Sequence, residues 1–226
     1  MRTLVFVLGI THLIQFVVFI HQYFINKTIR GLGWWLLWSA AEVIGFAFML
    51  LRGIPSLQWA AIIGQNAWIV VGVIFLYIGI MRFFDQQEKR PFIIAFFTGY
   101  MACLVYFLFI QDNIQVRSVI ICTSLSIISW LSAWALHANK TRVVSASANF
   151  ISLTFILHGG YFAIRAVVIM SGMPFRDVFA PTWLNVTTYL EAIIAGTVWT
   201  FGFIIMINQR LNGEVTDAKK EIEQEI

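Results

Sequence analysis

Seven long apolar runs dominate the chain and constrain what it can fold into. They cover residues 3–24, 33–51, 57–81, 91–110, 116–137, 147–170 and 183–207. Each run has about the 20 residues that a helix needs to cross the hydrocarbon core of a bilayer. The breaks between the runs are short and hold loop-forming residues such as Asn26, Gly53 and Pro55. The sequence therefore predicts an all-α membrane protein, a bundle of seven transmembrane helices.

The composition of the chain excludes several classes of protein. Of 226 residues, 60% are hydrophobic and 12% are charged, whereas about a quarter of the residues of a soluble domain are charged. Since no stretch has the length of a soluble catalytic domain, we expect no enzyme activity in this chain. The basic residues are scattered over short loops and form no stripe that would bind nucleic acid. Cys103 and Cys122 lie inside apolar runs, so we expect neither a disulfide nor a metal site, and no cofactor.

The distribution of lysine and arginine predicts the orientation of the bundle. Alternate loops and the C-terminal tail hold ten of the 15 basic residues, the opposite side holds four, and Arg165 lies within a run. Because cytoplasmic loops carry the excess of positive charge, the N-terminus is predicted outside and the C-terminus in the cytoplasm. The first run contains His12 and Gln15 and is too long for a signal peptide, so we expect it to remain in a protein of the cell (inner) membrane.

Polar and charged residues within the runs predict a ligand site in the outer half of the bundle. A charge at the bilayer centre costs about 2.5 to 3.5 kcal/mol, so buried charges tend to mark function. Counted at about 1.5 Å per residue, most of these side chains lie about 9 to 15 Å deep, and that of His158 about 20 Å. Five different helices contribute to this layer. The predicted ligand-binding residues are His12, Glu42, Asn66, His158, Tyr161, Arg165, Thr188 and Glu191.

Two interpretations of this layer remain open at the level of sequence. In the first, the side chains line a water-accessible or ligand-filled cavity that binds an unknown small-molecule or lipid-like ligand. In the second, they form a purely structural network in which Arg165 is neutralised by Glu191 or Glu42. Gln65 and Asn66 are adjacent and should point in different directions, and we expect Asn66 to be the one that faces the cavity.

The segment after the last run has the composition of a soluble amphipathic helix. Apolar residues continue from Ile204 at steps of seven, four, three and four, which is the seam of a coiled coil. We predict a sensor domain over residues 1–208 and a signalling helix over 209–226 that pairs two copies of the chain. The alternative is a solvated helix end without a partner. The predicted output residues are Leu211, Val215, Ala218 and Ile222. The pattern stops within a repeat, which leads us to expect an effector domain beyond residue 226.

Three segments carry a resemblance to known proteins. Residues 201–212 (FGFIIMINQRLN) run from the last span into a charged helix, and residues 33–39 (GWWLLWS) and 51–55 (LRGIP) bracket the second span. This layout resembles the N-terminal membrane sensor domains of bacterial signalling proteins of the histidine kinase or diguanylate cyclase type. The resemblance implies a dimeric, receptor-like input domain. Any kinase or cyclase activity would then belong to a following domain.

Other classes of membrane protein fit the sequence less well. Retinal binding needs a lysine in the seventh span, but all five lysines lie in loops or in the tail. Haem needs facing axial histidines, and the predicted depths of His12 and His158 differ by about 6 Å. His21 and His137 lie too near the cytoplasmic surface to join those two in a zinc site. A small-solute transporter or channel that uses the same buried charges remains the main alternative.

Overall fold

A computed structural model describes residues 2–172 and 177–225, apart from the side chains of Arg2 and Glu225. The described residues form seven α-helices and no strand, and all seven are long and apolar enough to cross a membrane. This confirms the predicted all-helical, multi-pass architecture. The helices are α1 (Arg2–Ile25), α2 (Leu32–Leu50), α3 (Gln58–Phe83), α4 (Arg90–Phe109), α5 (Ile114–Asn139), α6 (Ser145–Met170) and α7 (Trp183–Glu225).

The helix boundaries follow local chemistry. Gly31 precedes α2 with a φ of 90°, a conformation that glycine adopts without strain. Short 3-10 helices at Leu51–Gly53 and Pro55–Leu57 make the turn from α2 into α3. Asn113 caps α5 by accepting a hydrogen bond from the backbone N–H of Val116. These boundaries lie within a few residues of the predicted ones except in α7, which continues without a break through the predicted tail.

Six of the seven helices form a closed ring. Contacts run from α1 to α2, α2 to α3, α3 to α5, α5 to α6, α6 to α7, and from α7 back to α1. The remaining helix, α4, lies outside the ring against α3 and α5, and only 17% of its apolar window is buried. We call the face of the bundle at which α1 begins the N-face, and the face from which α7 leaves the C-face. The ring encloses an interior that runs from one face to the other.

Aromatic side chains fill the C-face half of this interior. The ring of Trp35 stacks on Phe203 at 4.1 Å, and Phe155 stacks on Trp199 at 4.3 Å. Trp38 lies between these pairs, 6.0 Å from Trp199 and 6.4 Å from Phe203. All five side chains are buried. Large, closely packed rings therefore fill the interior on the side of the C-face.

Glycines allow the closest approaches between α2 and α3. A Cβ atom added at Gly79 would lie 2.4 Å from the Trp35 ring, which cannot move because it stacks on Phe203. At Gly99 in α4 a Cβ would meet nothing within 4 Å. The two positions thus form a matched pair of helical glycines.

We expect Gly79→Ala to lower the free energy of unfolding by about 1 to 3 kcal/mol, because the methyl group would displace the Trp35 ring. Gly99→Ala should be neutral or stabilising by up to about 1 kcal/mol, since alanine favours a helix over glycine. Thermal unfolding of the detergent-solubilised protein measures both. An unchanged midpoint for Gly79→Ala would show that α2 and α3 are not packed as described.

Polar contacts hold α7 where it leaves the C-face. The Arg210 guanidinium donates to the backbone oxygen of Phe83 at 2.5 Å and lies 5.3 Å from the centre of the Phe83 ring. It also pairs with Asp85, which accepts a second hydrogen bond from Arg30. Arg210 pairs further with Glu214 within its own helix. The end of α3 thus anchors α7 before its last segment begins.

Beyond this anchor, α7 projects away from the bundle. Leu211 is partly buried against the core, whereas Ala218 is exposed. Val215 and Ile222 are 69% and 60% exposed. Three of the four predicted output residues are therefore free to contact another chain, and Leu211 belongs instead to the contact between α7 and the bundle.

Candidate functional site

A cavity of about 200 Å³ occupies the N-face half of the ring. All six ring helices contribute to its wall, and the buried aromatic rings of Trp38 and Trp199 lie at its inner end. Its polar lining residues are His12, Glu42, Arg52, Gln65, Asn66, Arg117, Ser118, His158, Arg165, Asn185 and Thr188. A concave, mainly apolar space with a few convergent polar groups is typical of a small-molecule site.

Six of the eight predicted ligand-binding residues line the cavity: His12, Glu42, Asn66, His158, Arg165 and Thr188. The other two, Tyr161 and Glu191, are not among the lining residues. They lie beside the cavity, where they connect α6 to α7. The expectation that Asn66 alone faces the cavity is wrong, because its neighbour Gln65 lines it as well. The cavity is wide enough to include both sides of that turn of α3.

A first set of polar contacts joins α6 to α7 at mid-depth. His158 Nδ1 lies 2.6 Å from Glu191 Oε1. One turn further along α6, the Tyr161 hydroxyl lies 2.9 Å from Thr187 Oγ1 and 2.8 Å from Thr188 Oγ1. Hydrogen bonds between side chains in adjacent membrane helices contribute about 0.6 to 2 kcal/mol each. The contact between α6 and α7 at this level is therefore polar and specific in its register.

Arg165 forms a second, denser set of contacts with the first turns of α7. Its Nη1 donates to the Leu184 oxygen and to Thr188 Oγ1, both at 2.5 Å. Its Nη2 donates to Asn185 Oδ1 at 3.2 Å. The amide of Asn185 donates in turn to the backbone oxygens of Asp177 and Ala180. Arg165 thus links the end of α6, the start of α7 and the segment that precedes α7.

The partners of the buried acids differ from those that the sequence suggested. Glu191, one of the two acids considered as a counter-ion for Arg165, pairs with His158. Glu42 is buried, and the indole of Trp38 one turn earlier donates a hydrogen bond to it. Its Oε1 lies close to Gly72 of α3, where a Cβ atom would be 2.9 Å away. Glu42 therefore lies between α2 and α3, apart from the contacts of α6 and α7.

The remaining predicted residues pack closely on their neighbours. His12 stacks on Phe46 at 4.9 Å. Its ring also packs against Gly196 of α7, where a Cβ atom would lie 3.4 Å from His12 Cε1. Asn66 donates to the Ile62 oxygen of its own helix at 2.7 Å, and its backbone oxygen accepts from the Tyr100 hydroxyl of α4 at 3.2 Å.

Several buried polar atoms at the cavity have no hydrogen-bond partner of normal geometry within the described part of the chain. They are His12 Nδ1, Gln65 Oε1 and His158 Nε2, with Glu191 Oε2 beside them. A buried polar atom without a partner costs about 1 to 3 kcal/mol. A polar molecule in the cavity could supply the missing partners only if these side chains turned towards it.

Sequence reasoning missed four polar residues of the site: Arg52, Arg117, Ser118 and Asn185. Arg52 and Arg117 are two of the four basic residues that the charge distribution predicts on the outer side, and both line the cavity. They come from the turn after α2 and the first turn of α5, both of which lie at the N-face. Asn185 precedes Thr188 by three residues, and this helical spacing could have placed it on the same face of α7.

The described residues include no group of three or more His, Cys, Asp or Glu side chains that could hold a metal ion. The polar groups of the site are arginine, amide, histidine, carboxyl and hydroxyl side chains above an apolar floor. The chain matches no protein-family profile, no curated protein and no solved structure.

Proposed function

We propose that this chain is a membrane-embedded sensory input domain. A small ligand binds in the cavity, and α7 transmits its presence to an effector on the other side of the membrane. One observation supports this most directly: α7 lines the cavity from Asn185 to Trp199 and continues as one helix to Glu225. A helix of 43 residues spans about 65 Å, roughly twice the hydrocarbon thickness.

The proposed orientation places the N-face outside and the C-face in the cytoplasm of a bacterial inner membrane. Ten basic residues against four support it. The cavity then takes its ligand from the outside or from the outer leaflet. The exposed end of α7 lies in the cytoplasm, where an effector domain would be attached.

The contacts between α6 and α7 suggest how binding changes the output. A ligand shifts an equilibrium only if it binds one arrangement more tightly than another. Arg165 and His158 both line the cavity and both contact α7. A ligand that competes for these two side chains therefore changes the contacts that fix α7. A shift or rotation of α7 is then passed to its exposed end.

The proposed sensor is a homodimer whose two copies contact each other through the exposed ends of α7. Val215, Ala218 and Ile222 continue the seam and are exposed. Two copies that bury this seam would pair their signalling helices, and each would transmit the state of its own cavity. The partners in this proposal are the ligand, the membrane lipids and a second copy of the chain.

A transporter or channel would use the same buried charges, and we keep it as the competing function. The stacked rings of Trp35 and Phe203 fill the interior below the cavity, which disfavours an open path to the C-face. A carrier also has no need for a long helix that leaves its last span. These two features lead us to prefer the sensor.

The test is a fusion of residues 1–226 to the catalytic core of a dimeric histidine kinase, reconstituted in lipid vesicles. We expect autophosphorylation that depends on pairing of α7, because the fused kinase cores then act in trans. Replacing Val215 and Ile222 by glutamate should reduce it at least roughly tenfold, since the charges oppose burial of the seam. Replacing the exposed Lys219 by glutamine is the matched control.

The same vesicles test the competing function. Uptake of small solutes or protons by vesicles that contain residues 1–226, above that of empty vesicles, would favour the carrier. Activity of the fusion that is indifferent to the glutamate substitutions would contradict the paired signalling helix.

A further inference from the structure

We infer that the ligand of this cavity is a small anionic amphiphile: a carboxylate held near Arg52, Arg117 and Arg165, with a short apolar body directed at Trp38 and Trp199. This deepens the proposed sensor function, on which it rests, by naming the chemical class of the ligand. It follows from the distribution of charge, the polarity along the cavity and its size.

The charge of the lining is predominantly positive at the N-face end. Three arginines and one glutamate line the cavity. Arg52 and Arg117 lie close enough to influence each other electrostatically. Two guanidinium groups in a membrane-embedded site repel each other, and an anion between them relieves that repulsion. A carboxylate also matches the planar, two-pronged geometry of a guanidinium group.

The neighbours of these arginines leave hydrogen-bonding capacity for such an anion. Arg117 pairs with Asp112 and donates to the Phe107 oxygen at 2.7 Å. The Arg52 side chain forms no hydrogen bond or ion pair within the described ranges, although its Nε atom is itself buried. Asp177 lies within electrostatic range of Arg52, but its Oδ1 accepts from the Phe179 N–H and forms no ion pair within 4 Å in the described ranges. Arg52 is therefore the most available donor of the three.

The polarity of the wall changes along the cavity. Arg52 and Glu42 are ten residues apart on one side of it, or about 15 Å along the axis, so Glu42 does not neutralise the N-face end. The positive ends of the α5 and α7 dipoles also lie at the N-face. At the other end the wall is formed mainly by the Trp38 and Trp199 rings and by aliphatic side chains, with Glu42 and His158 beside the rings. An anionic head and an apolar body match these two ends.

The size of the cavity limits the apolar body. The cavity volume of about 200 Å³ is well above the roughly 10 to 15 Å³ that one buried water molecule needs. Cavities for drug-sized ligands begin at about 300 Å³. The ligand is therefore a short carboxylate with a chain of about six carbons, and hexanoate is the appropriate probe.

The test is calorimetric titration of the whole chain in discs of zwitterionic lipid. We expect saturable, one-site binding of hexanoate. Hexanol, hexylammonium and acetate should each bind at least roughly tenfold more weakly, because each lacks the negative head or the apolar body. Arg52→Gln should weaken hexanoate binding at least roughly tenfold, whereas Arg142→Gln, an exposed arginine at the C-face, should leave it unchanged.

Arg52→Lys controls for a folding defect. It keeps the positive charge, so it should bind hexanoate more tightly than Arg52→Gln does. Any of three results would overturn the inference. They are equal affinity for hexanol and hexanoate, hexanoate binding no greater than that of empty discs, and undiminished binding by a folded Arg52→Gln variant. Binding without any change in activity of the kinase fusion would instead contradict the sensor function and leave the anion site standing. A kinase fusion whose activity responds to hexylammonium or hexanol instead of hexanoate would support the sensor function and contradict the anion site.

Discussion

Arg165→Ala is expected to lower the free energy of unfolding by about 3 kcal/mol and to abolish any response of the kinase fusion to hexanoate. The substitution removes three hydrogen bonds to α7, and such bonds between membrane helices contribute about 0.6 to 2 kcal/mol each. It also leaves Asn185 Oδ1 buried without this donor. Thermal unfolding in detergent measures the first effect, and autophosphorylation with and without hexanoate measures the second.

Two further variants separate the contacts of Arg165 from its charge. Arg165→Lys keeps the charge, but one ammonium group cannot reach three acceptors spread over a helical turn, so most of the loss should remain. Arg142→Ala removes an exposed arginine and should change neither measurement. If Arg165→Ala unfolds and responds like the unmodified protein, the contacts between α6 and α7 do not form the sensing site.

The fold was accessible from sequence because the bilayer imposes a length on each apolar run. A run such as 147–170 is long enough to cross the bilayer, where a helix satisfies its backbone hydrogen bonds. The helix α6 begins and ends within a few residues of this run. The seam through Val215 and Ile222 likewise predicted that α7 continues beyond the span, and it does. The order of helices around the ring was not accessible, because short loops restrict neighbours but do not decide that α4 lies outside.

The site was predictable in depth but not in pairing. Depth follows from residue count, which correctly brought His12, Glu42 and Arg165 to one cavity. Pairing depends on how each helix is rotated about its axis, which periodicity alone leaves open by tens of degrees. The structural-network interpretation therefore leaves open whether Glu191 or Glu42 neutralises Arg165, and in the structure Glu191 contacts His158.

Arg52 was missed for a different reason. A basic residue at the end of a span satisfies the charge rule for topology, and that explanation made a second role unnecessary. The turn between α2 and α3 nevertheless brings Arg52 into the cavity wall. Basic residues at span ends on the same face as a buried arginine are thus candidates for a shared anion site.

The register of the exposed end of α7 carries the second large effect that we expect. Insertion of one alanine between Glu214 and Val215, beyond the Arg210 anchor, rotates the downstream seam by about 100°. If α7 transmits a rotation or shift as a rigid helix, the seam of the pair is misaligned, and autophosphorylation of the kinase fusion should change by roughly tenfold, a coupling of about 1.4 kcal/mol.

Insertion of seven residues restores the seam to within about 20° and should restore activity. Hexanoate binding, measured by calorimetry, should be the same in both variants, because the cavity lies above the insertion. Equal activity of the two variants would mean that the output does not depend on the phase of α7, and a flexible connection would then replace the rigid one proposed here.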